Sequence, residues 1–238
     1  MLLNRCGLAI GILFYAFVLL ANAWLCDDAY ITYRSIDNFI NGYGLTWNSG
    51  ERVQSYTHPL WFIALSSVHF FTGEIYYTAL FFSAIISILA VSTLALHIAP
   101  NWKNAILGIA LLSNSKAFVD YSTSGLENPL THLLAALFMW FYLLNSPSDK
   151  RLFFLSALAA LAILNRMDTA LLFIPALLFA YADQRNLRTT AILVGGFVPF
   201  LAWEVLSIVY YGFPFPNTAY AKLGTGIPTG ELLLQGMH

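Results

Sequence analysis

The sequence predicts an all-α integral membrane protein with seven helical spans and a long polar first external loop carrying interfacial helices. Three observations carry that reading. The 238 residues are 59% hydrophobic and only 10% charged, against about 25% charged in soluble domains. Apolar runs near 20 residues long recur along the chain, the length a helix needs to cross about 30 Å of hydrocarbon. The basic residues fall in the connections in a way that fixes one orientation, because Lys and Arg concentrate on the cytoplasmic side. A net charge of −1 and no basic cluster give no reason to expect a nucleic-acid partner.

The first run, residues 6–25, is a full span preceded by Arg5. Its Ala21-Asn22-Ala23 also has the small-residue pattern of a cleaved signal peptide, although Trp24 and Leu25 simply continue the apolar run. Either way the following residues lie outside the cytoplasm. Cys6 and Cys26 flank this run, about 30 Å apart along a helix, too far for a disulfide within one chain.

Residues 26–74 form the polar loop, opening on Asp27 and Asp28. Within it, 29–40 (AYITYRSIDNFI) groups Ile36, Phe39 and Ile40 apart from Arg34, Asp37 and Asn38, the pattern of a helix lying on a membrane. Asn41-Gly42 and Asn48-Ser49-Gly50 are turn signals. The apolar stretch 59–72 would rise only about 21 Å as a helix. If it crossed, Lys103, Lys150, Arg151, Arg185 and Arg188 would all fall outside; if it is interfacial or re-entrant, all five join Arg5 inside. The second arrangement is expected, with spans at 6–25, 75–99, 104–121, 128–145, 151–165, 169–183 and 189–211. It brings DDAYITYR, YSTSGLENP (121–129), NRMD (165–168) and PNTAYAK (216–222) to one external face.

That face holds the candidate chemistry. Asp27 or Asp28 is a candidate general base for an acceptor hydroxyl, set against the plainer role of a solvated charge at a helix end. Glu127 in GLENPL is a third external carboxylate. It suits a helix start before Pro129 and also a catalytic or cation-binding role, with Asp28 and Glu127 the candidate ligands of a divalent ion (Mg, Mn or Ca). Arg166 lies in an apolar context, where a charge is normally paired. Asp168 is the candidate structural partner, and a lipid-linked phosphate the candidate ligand, since a guanidinium binds phosphate bidentately. Lys222, Arg34 and Arg52 are further candidates for the phosphate, and all three also suit headgroup contact. Tyr30, Trp47, Tyr56, His58 and Asn217 are candidate substrate contacts, although Trp and Tyr also populate interfacial belts. Glu204 is an intramembrane carboxylate that needs a partner. Zinc clusters, P-loops, dinucleotide fingerprints and Ser-His-Asp signals are absent from the sequence. Nucleotide sugars are cytoplasmic, so an external transferase would take its sugar from a carrier such as a polyprenyl phosphate, with Arg166 or Lys222 neutralising the leaving charge.

DDAYITYR, NGYGLTWNSGERVQSYTHPLW, GLENPL, NRMDTALLFIPAL and YYGFPFPNTAYAKL, in that order, resemble the bacterial GT-C glycosyltransferases related to terminal arabinofuranosyltransferases, a group that includes proteins labelled as flagellar motor control proteins. The resemblance covers about residues 24–224. It implies a seven-span GT-C-like core over 1–224, a polyprenyl-phosphate sugar donor, an inverting mechanism and a catalytic aspartate at Asp27 or Asp28. It matches Glu127 to the acidic residue after the third span and Arg166 to the basic residue between the fifth and sixth. His58 stands where such sequences often have asparagine, and Phe213 where they often have an acid; relatives are longer, so 225–238 is expected to begin a further region. The expected enzyme moves a sugar to an extracytoplasmic glycan, lipid or protein in a bacterial inner membrane. The alternatives are a non-catalytic envelope or motor assembly factor, an inactive remnant of the enzyme, and a transporter; the last would place its polar groups near the bilayer midplane.

Overall fold

The computed structural model describes residues 2–144, 148–182, 185–223 and 230–231, with the side chains of 2–5 and 221–223 left aside. Every regular element among them is helical. In chain order they are α1 (Leu2–Ala21), α2 (Ala29–Ile40), α3 (Pro59–Thr72), α4 (Ile75–Thr93, extended by a π turn Leu94–Ile98), α5 (Trp102–Asn114), α6 (Lys116–Tyr121), α7 (Asn128–Leu143), α8 (Asp149–Asn165), a 3-10 turn Met167–Thr169, α9 (Ala170–Ala182), α10 (Leu187–Gly196), α11 (Val198–Tyr211) and α12 (Asn217–Leu223).

The helix limits have local causes. Asn101, Ser148 and Asn186 each accept backbone N–H groups at the starts of α5, α8 and α10, as capping residues do. The Glu74 carboxylate takes two N–H groups, from Tyr76 and Tyr77 at 2.7 Å, where a helix start favours negative charge. Gly73 and Gly212 close α3 and α11 at φ 68° and 82°, a conformation cheap only for glycine. Ser115, extended at ψ 104°, splits the expected span 104–121 into α5 and α6. At Phe197, just before Pro199, the expected span 189–211 bends by 54° into α10 and α11.

By length and composition, one helix among the described residues, Ile75–Ile98, is long and apolar enough to cross a membrane, and the α10–α11 pair passes jointly. The remaining expected spans are present as shorter helices. Their directions alternate between two ends of a bundle. His97 at the close of α4 stacks on Trp140 near the close of α7, with ring centroids 3.9 Å apart. Arg151 at the start of α8 caps α7 by donating to the Phe141 and Tyr142 carbonyls, and Arg188 at the start of α10 pairs with Asp149. The opposite end collects the close of α1, the start of α4, the close of α6, the start of α7, the 165–168 turn and the close of α11.

α8 is central and packs on α3, α7, α9, α10 and α11. Its small residues permit close approach: a Cβ on Gly196 of α10 would lie 2.6 Å from Ser156 Cβ and 2.8 Å from the Ala157 nitrogen. α1 belongs to the bundle, with Tyr15 and Leu19 fully buried and Tyr15 Oη bonded to Ser122 Oγ. Many large apolar side chains point outward, among them Phe71 at 85% exposure, Leu171 at 84% and Val209 at 78%. So many exposed large apolar side chains suit a lipid surround better than water.

Candidate functional site

The polar loop is folded onto the bundle end. α2 buries Ala29, Thr32, Tyr33 and Ile36, the i, i+3, i+4, i+7 stripe of a helix with one face against a core. That stripe lies directly on the turn before α7. Gly125 has φ +84°, and a Cβ there would meet Tyr33 Oη at 2.1 Å, so only glycine allows α2 to sit so close. Cys26 N donates to Ser124 O at 2.9 Å, and Trp61 Nε1 from α3 donates to Gly125 O at 3.0 Å. Three segments distant in sequence are thereby fixed around Glu127, two residues further on.

Glu127 is buried, and each carboxylate oxygen has a nitrogen within 3.3 Å. Oε1 accepts from Arg166 Nη1 at 3.2 Å, and Oε2 lies 3.3 Å from His58 Nδ1. His58 Nε2 lies 2.8 Å from Thr32 Oγ1. Arg166 grips Asp168 sideways, Nε to Oδ1 at 2.9 Å and Nη2 to Oδ2 at 3.0 Å. Asn165 braces the cluster by donating to Glu127 O at 3.0 Å and to Thr131 Oγ1 at 2.9 Å. The continuous chain is thus Thr32, His58, Glu127, Arg166 and Asp168, drawn from α2, the start of α3, the start of α7 and the α8–α9 turn.

Burial holds His58 below its ordinary value; Glu127 opposes this and Arg166 reinforces it. The ring is therefore neutral, with one N–H to place. A bare Nδ1 lone pair facing a carboxylate would be repulsive, so the proton sits on Nδ1 and the Thr32 hydroxyl donates to Nε2. Hydrogen bonding from Arg166 lowers Asp168, and the same bonds raise Arg166. Asp168 is 61% exposed, so solvent screens much of that pair.

Arg166 has five N–H donors. Its contacts use Nε–H and one N–H on each of Nη1 and Nη2, leaving one on each terminal nitrogen. Arg166, Glu127, Met167 and Asp168 line a cavity of about 270 Å³ with Thr57, Pro216 and Ala219, so the 216–222 segment closes the pocket from the other side. Its Asn217 Oδ1 accepts Gln54 N at 3.0 Å. The four polar segments meet.

The other sequence candidates lie apart from this cluster. Asp27 and Asp28 are exposed at the start of α2; Asp28 is one turn from Thr32, on the same helix face, about 5–6 Å between Cβ atoms. Arg34 is spent inside the loop, donating to Trp47 O and stacking on the Trp47 ring at 4.5 Å. It lines a separate cavity of about 540 Å³ with Tyr30, Asp37, His69 and Glu74. Arg52 stacks on Tyr210. Tyr56, expected to offer a ring face to a sugar, is 2% exposed, stacked on Phe62 at 4.2 Å and bonded to Tyr211 Oη; its faces are filled by core. The Lys222 side chain lies outside the described residues. Glu204 has its Oε1 buried without a hydrogen-bond partner among the described residues. No group of three or more His, Cys, Asp or Glu that could hold a metal occurs among the described residues. Both Glu127 oxygens face nitrogens, Arg166 Nη1 and His58 Nδ1. Thr32 and Asn165 were not singled out from the sequence, although they lie in the polar segments DDAYITYR and NRMD; a lone threonine or asparagine carries no motif.

A chain that is helical throughout its described residues and brings Glu127, Arg166 and Asp168 together at one bundle end has the layout of a GT-C type glycosyltransferase. Residues 58–208 match the family described as dolichyl-phosphate-mannose-protein mannosyltransferase, and the chain belongs to that family. It is 29% identical over 223 residues to the terminal β-(1→2)-arabinofuranosyltransferase of Mycobacterium tuberculosis, covering 85% of this chain and 35% of that one. The Corynebacterium glutamicum protein of the same description is 27% identical over 230 residues, covering 84% and 33%. The chain therefore spans about a third of the length of the curated relatives it matches. No solved structure matches it.

Proposed function

We propose that this chain is the membrane-embedded catalytic module of a glycosyltransferase that moves a sugar from a polyprenyl-phosphate donor to an extracytoplasmic acceptor, with inversion. Its seven alternating segments span the bacterial inner membrane, with the loop at 26–74 outside. The observation that carries the reading is Arg166: a guanidinium clamped by Asp168 and Glu127 at the polar end, with an N–H left on each terminal nitrogen beside a cavity. Two such donors match two phosphate oxygens.

In the proposed reaction a carboxylate takes the acceptor hydroxyl proton. The resulting oxygen attacks the anomeric carbon from the face opposite the phosphate, and the C–O bond to phosphate breaks with its electrons leaving on the phosphate. Arg166 offsets that developing charge, with Lys222 of α12 as a second cation. Asp28 is the preferred base over Asp27. It shares the face of α2 that carries Thr32, whereas Asp27 aligns with Ile31 and Arg34 on the outer face, and both Glu127 oxygens are already engaged. The names of the relatives suggest two donors to try, a polyprenyl-phosphate arabinofuranose and a polyprenyl-phosphate mannose.

The test is sugar transfer, or release of free polyprenyl phosphate, in membranes carrying the chain. Asp28→Asn should abolish turnover and leave donor binding intact, while Asp27→Asn should retain most of it. Full activity in Asp28→Asn rejects the assignment of the base. No turnover with any polyprenyl-phosphate sugar rejects the donor class.

A further inference from the structure

We infer that Thr32 and His58 are positioning residues that set the angle of the Glu127 carboxylate and, through it, the two N–H groups Arg166 offers to a lipid phosphate. The inference rests on the phosphate role proposed for Arg166 and adds the device that keeps that role available.

The geometry runs in one line. Thr32 is 1% exposed, and its hydroxyl lies 2.8 Å from Nε2 of the buried His58. Hydrogen bonding at Nε2 decides which ring nitrogen carries the proton. With the hydroxyl donating there, the Nδ1 proton faces Glu127 Oε2 at 3.3 Å. That leaves Oε1 turned towards Arg166 Nη1. Without a donor on Oε2, Glu127 would be free to turn both oxygens onto the guanidinium, as Asp168 already does from the other edge. A second Glu127 oxygen on the guanidinium would take one of the N–H groups otherwise open to a phosphate. His58 therefore acts as a competitor for Glu127, holding one oxygen away so that one N–H on each terminal nitrogen stays open.

The arrangement makes Thr32 matter only through the ring it touches. A valine at 32 fills the same space and loses the donor; a serine keeps the donor and loses a methyl group. An asparagine at 58 places an amide N–H about where Nδ1 stands, with no tautomer to choose. This separates positioning from packing.

The experiment uses the full chain in nanodiscs and decaprenyl phosphate as probe. Thr32→Val and His58→Ala should each weaken binding, by about tenfold for loss of one hydrogen bond to a charged group. Thr32→Ser and His58→Asn should bind within about threefold of the unmodified chain, and Thr32→Val should add nothing in the His58→Asn background. If Thr32→Ser is as weak as Thr32→Val, or Thr32→Val costs as much beside His58→Asn as alone, the role is packing and the inference is overturned. It is equally overturned if Arg166→Ala abolishes binding while Thr32→Val and His58→Ala bind normally, an outcome that leaves the phosphate reading intact. No binding by the unmodified chain, still folded by its thermal transition, overturns the phosphate reading and this inference together.

Discussion

Replacing Gly125 by alanine tests the junction that assembles the polar end. Two costs apply, and the structure separates them. At φ +84° a residue with a Cβ pays about 1–2 kcal/mol for the left-handed backbone. The new methyl would also lie 2.1 Å from Tyr33 Oη and 2.9 Å from Ala29 Cβ. Relieving the first contact requires α2 or the Tyr33 ring to retreat by roughly 1 Å, an overpacking cost of about 1–3 kcal/mol. The expected destabilisation is the sum, about 2–5 kcal/mol. Gly50 is the control: its φ is +99°, yet nothing lies within 4 Å of its would-be Cβ, so Gly50→Ala carries the backbone cost alone. Unfolding of both variants in detergent, followed by tryptophan fluorescence, gives the difference directly. Because α2 carries Thr32, Gly125→Ala should also weaken decaprenyl-phosphate binding, whereas Gly50→Ala should not. Equal transitions for the two variants would refute the close contact of α2 with the turn before α7.

Other consequences concern separate parts of the fold. Gly196→Ala should destabilise by about 1–3 kcal/mol, since Ser156 Cβ and the Ala157 backbone leave no room between α10 and α8; an unchanged melting transition would contradict that packing. His58 is held below the ordinary histidine value, near 6.5, so the folded chain binds fewer protons there than the unfolded one. The stability it contributes is then complete above that pH and is lost as pH falls through the lowered value; unfolding at stepped pH should show this decline, and His58→Asn should flatten it. Tyr56→Phe should cost about 1 kcal/mol through the lost bond to Tyr211 without altering transfer, because the ring is packed in core; a selective loss of transfer would restore it as a substrate contact. A cysteine at the exposed Ser49, with Cys6 and Cys26 replaced, should react with an impermeant reagent outside intact cells; labelling only after lysis would invert the proposed topology.

Much of the arrangement is legible in the apolar runs of the sequence. The helices lie where the apolar runs are, α3 matches the short apolar stretch 59–72, and the four polar segments expected on one face meet at one bundle end. Breaks within helices were harder to see. Ser115 lies in the short polar stretch 113–116 (SNSK) inside the expected span 104–121 and Phe197 in an apolar run, and what interrupts them is a serine cap in one case and a proline two residues on in the other. Within the site, Arg166 stands out because a charge in apolar surroundings needs a partner and Glu127 as a third external carboxylate, and each is part of the other's answer. Their remaining partners did not stand out. Thr32 is recognisable only once α2 is laid on α3, and the burial of Tyr56 depends on Phe62 and Tyr211, 6 and 155 residues away. An aromatic in a polar loop reads the same whether it faces a ligand or a core.

Equilibrium binding of decaprenyl phosphate to the unmodified chain and to Arg166→Ala, side by side in nanodiscs, bears most directly on the central claim. A guanidinium that meets the lipid phosphate through two N–H groups predicts at least a tenfold loss, about 1.4 kcal/mol or more. Equal affinity for the two proteins would remove the phosphate from this cavity and with it the proposed donor.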